Sequence, residues 1–176
     1  MKHTFKLMIT GLLLVVTGCA STLQSGGKGG GCLAGAKVLL APVVNATDDD
    51  HAGAAVTELA GTVLMNRGAS VVRADVSSDS TPVGTEALYQ QARDKKAQFV
   101  VEGTVHEYRY KTDLDGDPAV GITLRLVEAS SGKVLWQGSS SEVGVGLSSL
   151  TSAAQDAVTK VIGKMDAASS HPTRRR

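Results

Sequence analysis

Residues 103–138 read GTVHEYRYKTDLDGDPAVGITLRLVEASSGKVLWQG, and their patterning decides the fold. Over 99–111, Phe99, Val101 and Val105 fall on one side of a period-two alternation, with Glu102, Thr104, His106 and Tyr108 on the other. Over 120–128, Ile122, Leu124 and Leu126 alternate with Thr123 and Arg125. A third arm, 133–141, follows the turn Ser130-Ser131-Gly132. Alternating runs bounded by Asp/Gly/Pro and Ser/Gly clusters predict a three-stranded antiparallel meander. The remaining segments are expected to cover one face of it.

Upstream, residues 36–45 (AKVLLAPVVN) form a continuous apolar run broken by Pro42, the pattern of a buried strand with restricted pairing. Asp48, Asp49 and Asp50 stand before a helical stripe of Val56, Leu59, Ala60, Val63 and Leu64 over 52–66, where carboxylates meet the positive end of a helix dipole. Gly68 suits the left-handed residue that ends such a helix. Residues 69–76 read as a strand and 77–84 as a loop, and Thr85 is placed to cap a short helix over 86–96 buried through Leu88 and Ala92. Downstream, Ser148 or Ser149 starts a helix with Leu150, Ala153, Ala154, Ala157, Val158, Val161, Ile162 and Met165 on one face. The order β-α-β-α-β-β-β-α predicts an α/β fold: helices packed on a mixed β-sheet, in a single domain over 36–167.

The two ends are of a different kind. Lys2, His3 and Lys6 precede a short apolar run, 7–16, which closes on Val16-Thr17-Gly18-Cys19. The run is too short to span a bilayer and suits a signal peptide over 1–18. Its ending resembles the lipobox of bacterial lipoproteins, in which the cysteine is acylated. Cys19 is therefore the expected lipidation site, and the covalent lipid is the only non-protein group expected. Ala20, where an aspartate would signal retention in the inner membrane, favours the outer membrane. Residues 19–35 read as the lipidated cysteine and a Gly/Ser tether, and 168–176 as a basic, disordered tail. Cys32, left over once Cys19 is acylated, is expected to be partly buried and inert.

Charge and chemistry narrow the function. Five of the 18 basic residues (Lys2, Lys6, Arg174, Arg175, Arg176) lie in the two ends, which leaves 13 against 17 acidic residues in the body. A mildly acidic body argues against nucleic acid and permits a cationic ligand. No catalytic set is expected: His106 and Glu107, adjacent on a strand, should point to opposite faces. No metal site is expected either. Asp49, Asp50 and His51 read better as a helix start than as ligands, and Asp113-Leu114-Asp115-Gly116-Asp117 has Pro118 and Leu124 where a calcium loop needs glycine and glutamate. Asp113, Asp115 and Asp117 instead give a hairpin tip whose negative charge would multiply in an oligomer. Tyr108, Arg109, Tyr110 and Trp136 hold half of the six aromatic residues of the chain and are candidates for a membrane-rim or subunit-interface belt.

The lipobox, VLLAPVVN, GTVHEYRYKT, DLDGDPAVGITLRLVEASSGKVLWQ and the closing helix together resemble the PelC family of Pel polysaccharide export lipoproteins, over nearly all of the mature chain. The Ser-Gly turn and VLW are shared more loosely with CsgG-like curli-secretion and TolB N-terminal-like folds. The resemblance implies a non-enzymatic lipoprotein on the periplasmic face of the outer membrane, assembled as a dodecamer. It implies an aromatic and basic rim toward the lipid. It implies an electronegative funnel that guides a cationic exopolysaccharide to the β-barrel exporter PelB during biofilm matrix formation. Tyr108, Arg109 and Tyr110 are the rim candidates on this reading and Asp113, Asp115 and Asp117 the funnel candidates, while Val145 and Leu147 stand where an aromatic rim residue is expected. Two rivals differ in class. One is an adaptor lipoprotein of the curli or TolB type that binds a protein. The other is a hydrolase using serines of the Ser139-Ser140-Ser141 or Ser77-Ser78 runs, for which the sequence places no histidine.

Overall fold

The computed structural model describes residues 32–75, 84–112, 116–145 and 148–169. Nine elements follow in order: β1 Lys37–Leu40, β2 Val44–Asn45, α1 Ala52–Asn66, β3 Ser70–Arg73, α2 Thr85–Asp94, β4 Phe99–Tyr110, β5 Pro118–Glu128, β6 Val134–Val143 and α3 Leu150–Ser169. The strands form one mixed sheet in the order β3-β1-β4-β5-β6, with β2 also on β4. β1 runs parallel to β3 and β4, whereas β4, β5 and β6 are the antiparallel meander that the alternation predicts.

Helices cover both faces, not one. α1 and α3 pack side by side over a main core that includes Leu40, Leu64, Ile122, Leu124, Ile162 and Met165, each at most 1% exposed. Burial of such side chains contributes roughly 1.5–3 kcal/mol apiece. α2 lies on the opposite face, over Leu39, Val100, Val127 and Ala129, and brings Leu88, Tyr89 and Ala92 to a second, smaller core. Because α2 has only 10 residues, it shields one end of that face and leaves the far half of the meander open there.

Pro42 acts as the sequence suggests. The apolar run splits into β1 and β2, and each piece keeps a bond to β4: Ala41 N–H donates to Val101 O at 2.9 Å and Ala46 N–H to Val105 O at 3.0 Å. The break would strand the amide of Val43, but Thr57 of α1 reaches it. Val43 N–H donates to Thr57 Oγ1 at 2.9 Å, and that hydroxyl donates to Gly53 O at 2.7 Å. At the opposite end of the sheet, Leu33 N–H donates to Asp166 Oδ1 at 3.1 Å, and Arg67 Nη1 lies 3.9 Å from Asp166 Oδ2. The start of the folded body is thus tied to the last turns of α1 and α3. The helix starts differ in detail from expectation: His51, not an aspartate, is the N-cap of α1, and Thr85 is the first residue of α2 rather than its cap.

Two measurements check these contacts. Thr57→Val keeps the shape but leaves the Val43 amide buried without an acceptor, so it should cost about 1–3 kcal/mol in urea unfolding. Gly138 lies under the indole of Trp136, where an added Cβ would stand 2.3 Å from the ring. Gly138→Ala should therefore displace that ring, change the fluorescence of the only tryptophan and cost roughly 1–3 kcal/mol.

Candidate functional site

An extra residue in β4 shapes the end of the sheet that carries the candidate side chains. The β4–β5 register shifts between Val105 and Glu107, which makes His106 a bulge. Val105 pairs with Ile122, and beyond the bulge Tyr108 pairs with Val120 and Tyr110 with Pro118. Residues opposite one another share a face. Tyr108 and Tyr110 therefore join Val105 on the α1/α3 side, and Tyr108 packs against the main core. Strict alternation put Tyr108 on the other side; the bulge reverses that assignment. Arg109, opposite Ala119, moves the other way, from the side of Val105 to the open face.

The bulge also places His106 and Glu107 on the same side of the sheet, contrary to the sequence expectation. They still do not pair. His106 Nε2 lies 3.0 Å from Thr123 Oγ1, and Glu107 Oε1 is held by Arg109, with Nε at 3.1 Å and Nη2 at 3.0 Å. Thr123 Oγ1 lies in turn 2.8 Å from Ser139 Oγ. A histidine thus does stand near Ser139, one hydroxyl away, which cross-strand pairing shows and sequence spacing does not. This line of polar groups lies on an open strand surface, and among the described residues no carboxylate orients its imidazole.

Tyr108 and Tyr110 line a cleft of about 750 Å³ with Ala46, Thr47, Asp48, Asp49, His106, Glu107, Arg109 and Leu150. Two elements far apart in sequence build it. Parallel pairing of β2 with Thr104 and Val105 brings the β2–α1 loop to the end of β4. Asn45 then sets the loop: its Oδ1 accepts from Thr47 N–H at 3.1 Å and Oγ1–H at 2.8 Å, and its Nδ2 donates to Asp49 O at 2.7 Å. Asp49 Oδ1 accepts the His51 N–H at 2.8 Å, so this carboxylate braces the start of α1 and also faces the cleft.

The charges in the cleft do not cancel. Arg109 is engaged by Glu107, whereas no ion pair among the described residues engages Asp48 or Asp49. Burial raises the Tyr108 phenol above the ordinary tyrosine value, Asp49 and Tyr110 add to the rise, and the hydrogen bond with Thr151 opposes it. The arrangement can attract a cation with carboxylates and offer it the faces of two phenol rings.

The other candidates lie elsewhere. Trp136 pairs with Leu126, six residues along β5 from the partner of Tyr108, or roughly 20 Å at about 3.4 Å per residue. It packs against the main core, so the four aromatic-belt candidates do not form one group. Asp117 closes the β4–β5 hairpin, where Lys111 N–H donates to its carbonyl at 2.8 Å. Cys19, Asp113, Asp115 and Leu147 lie outside the described residues. Cys32 is half-buried, and Val145, beyond β6, is 76% exposed. No helix among the described residues is long and apolar enough to cross a membrane.

Comparison with known proteins points one way. No family model and no curated protein matches the sequence. Among solved structures, the PelC dodecamer from Paraburkholderia phytofirmans is 31% identical, with a TM-score of 0.66 over 77% of this chain and 92% of that one. A point variant of it, also a dodecamer, is 30% identical with the same TM-score over 77% and 94%. The chain belongs to the PelC family. Lipoprotein GNA1162 from Neisseria meningitidis, 24% identical with a TM-score of 0.55 over 74% of this chain and 97% of that one, shares the fold. In this chain, the cleft beside Tyr108 is the place among the described residues where Asp48 and Asp49 meet two tyrosines.

The charge environment of Tyr108 is directly testable. Asp49→Asn should lower the midpoint of the Tyr108 titration toward the ordinary tyrosine value, read by near-ultraviolet absorbance against a Tyr108→Phe control. An unchanged midpoint would separate Asp49 from the phenol. The neutral phenol is the form that the fold favours, so its share of stability is complete below the ordinary tyrosine value and is lost as pH rises through the raised one.

Proposed function

We propose that this chain is a non-enzymatic Pel export lipoprotein, lipidated on Cys19 and held at the periplasmic face of the outer membrane. In this reading, copies close into a ring, which the dodecameric state of its PelC relatives supports, and pass a cationic amino-sugar polymer to the outer-membrane barrel PelB. The observation that carries the reading is the cleft, in which Asp48 and Asp49, engaged by no ion pair among the described residues, stand beside Tyr108 and Tyr110. Asp117, at the neighbouring hairpin, and Asp113 and Asp115, which lie outside the described residues, add to the same negative field in this scheme. Tyr110, 52% exposed, and Arg109 remain candidates for lipid contact at that end of the molecule, whereas Trp136, packed on the core and distant from them, is the weaker one.

Magnitudes favour guidance over tight binding. A carboxylate and an ammonium 4 Å apart in water attract by about 1 kcal/mol. Salt screens that attraction beyond roughly 8 Å at physiological ionic strength. One site therefore holds a cationic sugar for only a short time. Repetition around a ring keeps the polymer near the wall without trapping it.

Neutralising the field tests the proposal. A variant with Asp48, Asp49, Asp113, Asp115 and Asp117 changed to asparagine should fold, stay at the membrane and lower secreted polymer several-fold. Secretion at the wild-type level would remove these carboxylates from the path. Cys19→Ser should leave the protein in the soluble periplasmic fraction; retention in the membrane fraction would overturn the lipid anchor.

A further inference from the structure

The two lateral edges of the sheet are treated differently. β3 is a four-residue edge, and its Arg73 carbonyl is capped by Lys95, whose Nζ donates to it at 3.0 Å. The Arg73 side chain is tied to Glu58 at 2.7 Å. A short edge closed off by lysine and arginine resists pairing with another chain. The other edge, β6, is ten residues long, and among the described residues no strand pairs with its outer side.

β6 has few of the usual guards. Its sequence, VLWQGSSSEV, contains no lysine and no proline, and its one charge, Glu142, is engaged by Lys160 of α3. The register shift between Leu126 and Val127 makes Leu135 a bulge, which turns the first residues of the edge aside. The seven residues from Gln137 to Val143 stay in regular register, a strand of roughly 24 Å at about 3.4 Å per residue. Exposed apolar side chains mark both ends of it: Val134 (44%) and Leu135 (42%) at one, Val143 (46%) and Val145 (76%) at the other. Between them the open face carries Gln137, Ser139 and Ser141, small or neutral groups that a partner backbone can approach.

We propose that the outer edge of β6 is a subunit contact, covered by a second copy of this chain. The inference rests on the ring reading above and names the surface that closes the ring. Relatives of this chain crystallise as dodecamers, so an identical copy is the occupant for which there is direct precedent. A ring needs a contact between two different patches of each copy. An unguarded strand at one lateral edge, opposite a guarded one, supplies that asymmetry. Backbone hydrogen bonds from an added strand would give affinity, and the apolar ends would fix position along the edge.

The test is native mass measurement together with amide hydrogen exchange on the full chain extracted in detergent. The wild-type particle should be an oligomer whose 134–143 amides exchange at least tenfold more slowly than in the same protein diluted to monomers. Leu135→Lys with Val143→Lys, both at exposed positions, should yield a folded monomer by circular dichroism and native mass. A wild-type oligomer with equal exchange over 134–143 before and after dilution overturns this contact and leaves the ring reading standing. A wild-type chain that is monomeric at every concentration overturns both. If the double variant fails to fold, the exchange comparison on the wild type alone decides.

Discussion

The extra residue at His106 governs which side chains share a surface. Up to Val105, β4 and β5 pair in simple register, and Val101, Val105, Ile122, Leu124 and Leu126 face α1 and α3. One inserted residue moves the rest of β4 over. Tyr108 and Tyr110 turn to the helix side, and Arg109 and Glu107 to the open side, where they hold each other. Without the bulge, Tyr108 would stand on the open face opposite Ala119, and the β2–α1 loop would meet a different set of groups. The bulge costs one ladder position and in return assembles a cleft.

Much of the fold was legible in the sequence because its signals are local and periodic. The alternation in 99–111 and 120–128, the apolar face of α3 and the break at Pro42 each follow from which side chain can be buried at a given spacing. What escaped was placement across the sheet. The expectation of a one-faced sheet failed because α2, though amphipathic through Leu88 and Ala92, carries nothing in its sequence to say which face it takes. It settles under Val100 and Val127, whose positions alternate with those of the main core. Alternation alone also cannot reveal a bulge, since one extra residue leaves the composition of a strand unchanged.

The candidate site was legible only in part. Its aromatic and basic members were chosen from residue type, and three of them, Tyr108, Arg109 and Tyr110, do line the cleft. Asp48 and Asp49 were read as a helix start, which describes the bond from His51 to Asp49 but misses the second surface of that carboxylate. They meet the tyrosines only because β2 pairs in parallel with β4 across some sixty residues of sequence, a contact without a local signal. The grouping of Trp136 with the tyrosines had the opposite origin: closeness in the sequence of a meander does not mean closeness along its strands.

The most direct measurement is a set of proton contacts from the Tyr108 ring, observed by nuclear Overhauser effects in the folded domain. The account predicts contacts to Val120 and to Leu150 and Thr151 at the start of α3. Contacts to Ala119, Gly121 and Val143 instead would put the ring on the open face and contradict the bulge, the cleft and the charge arrangement derived from them.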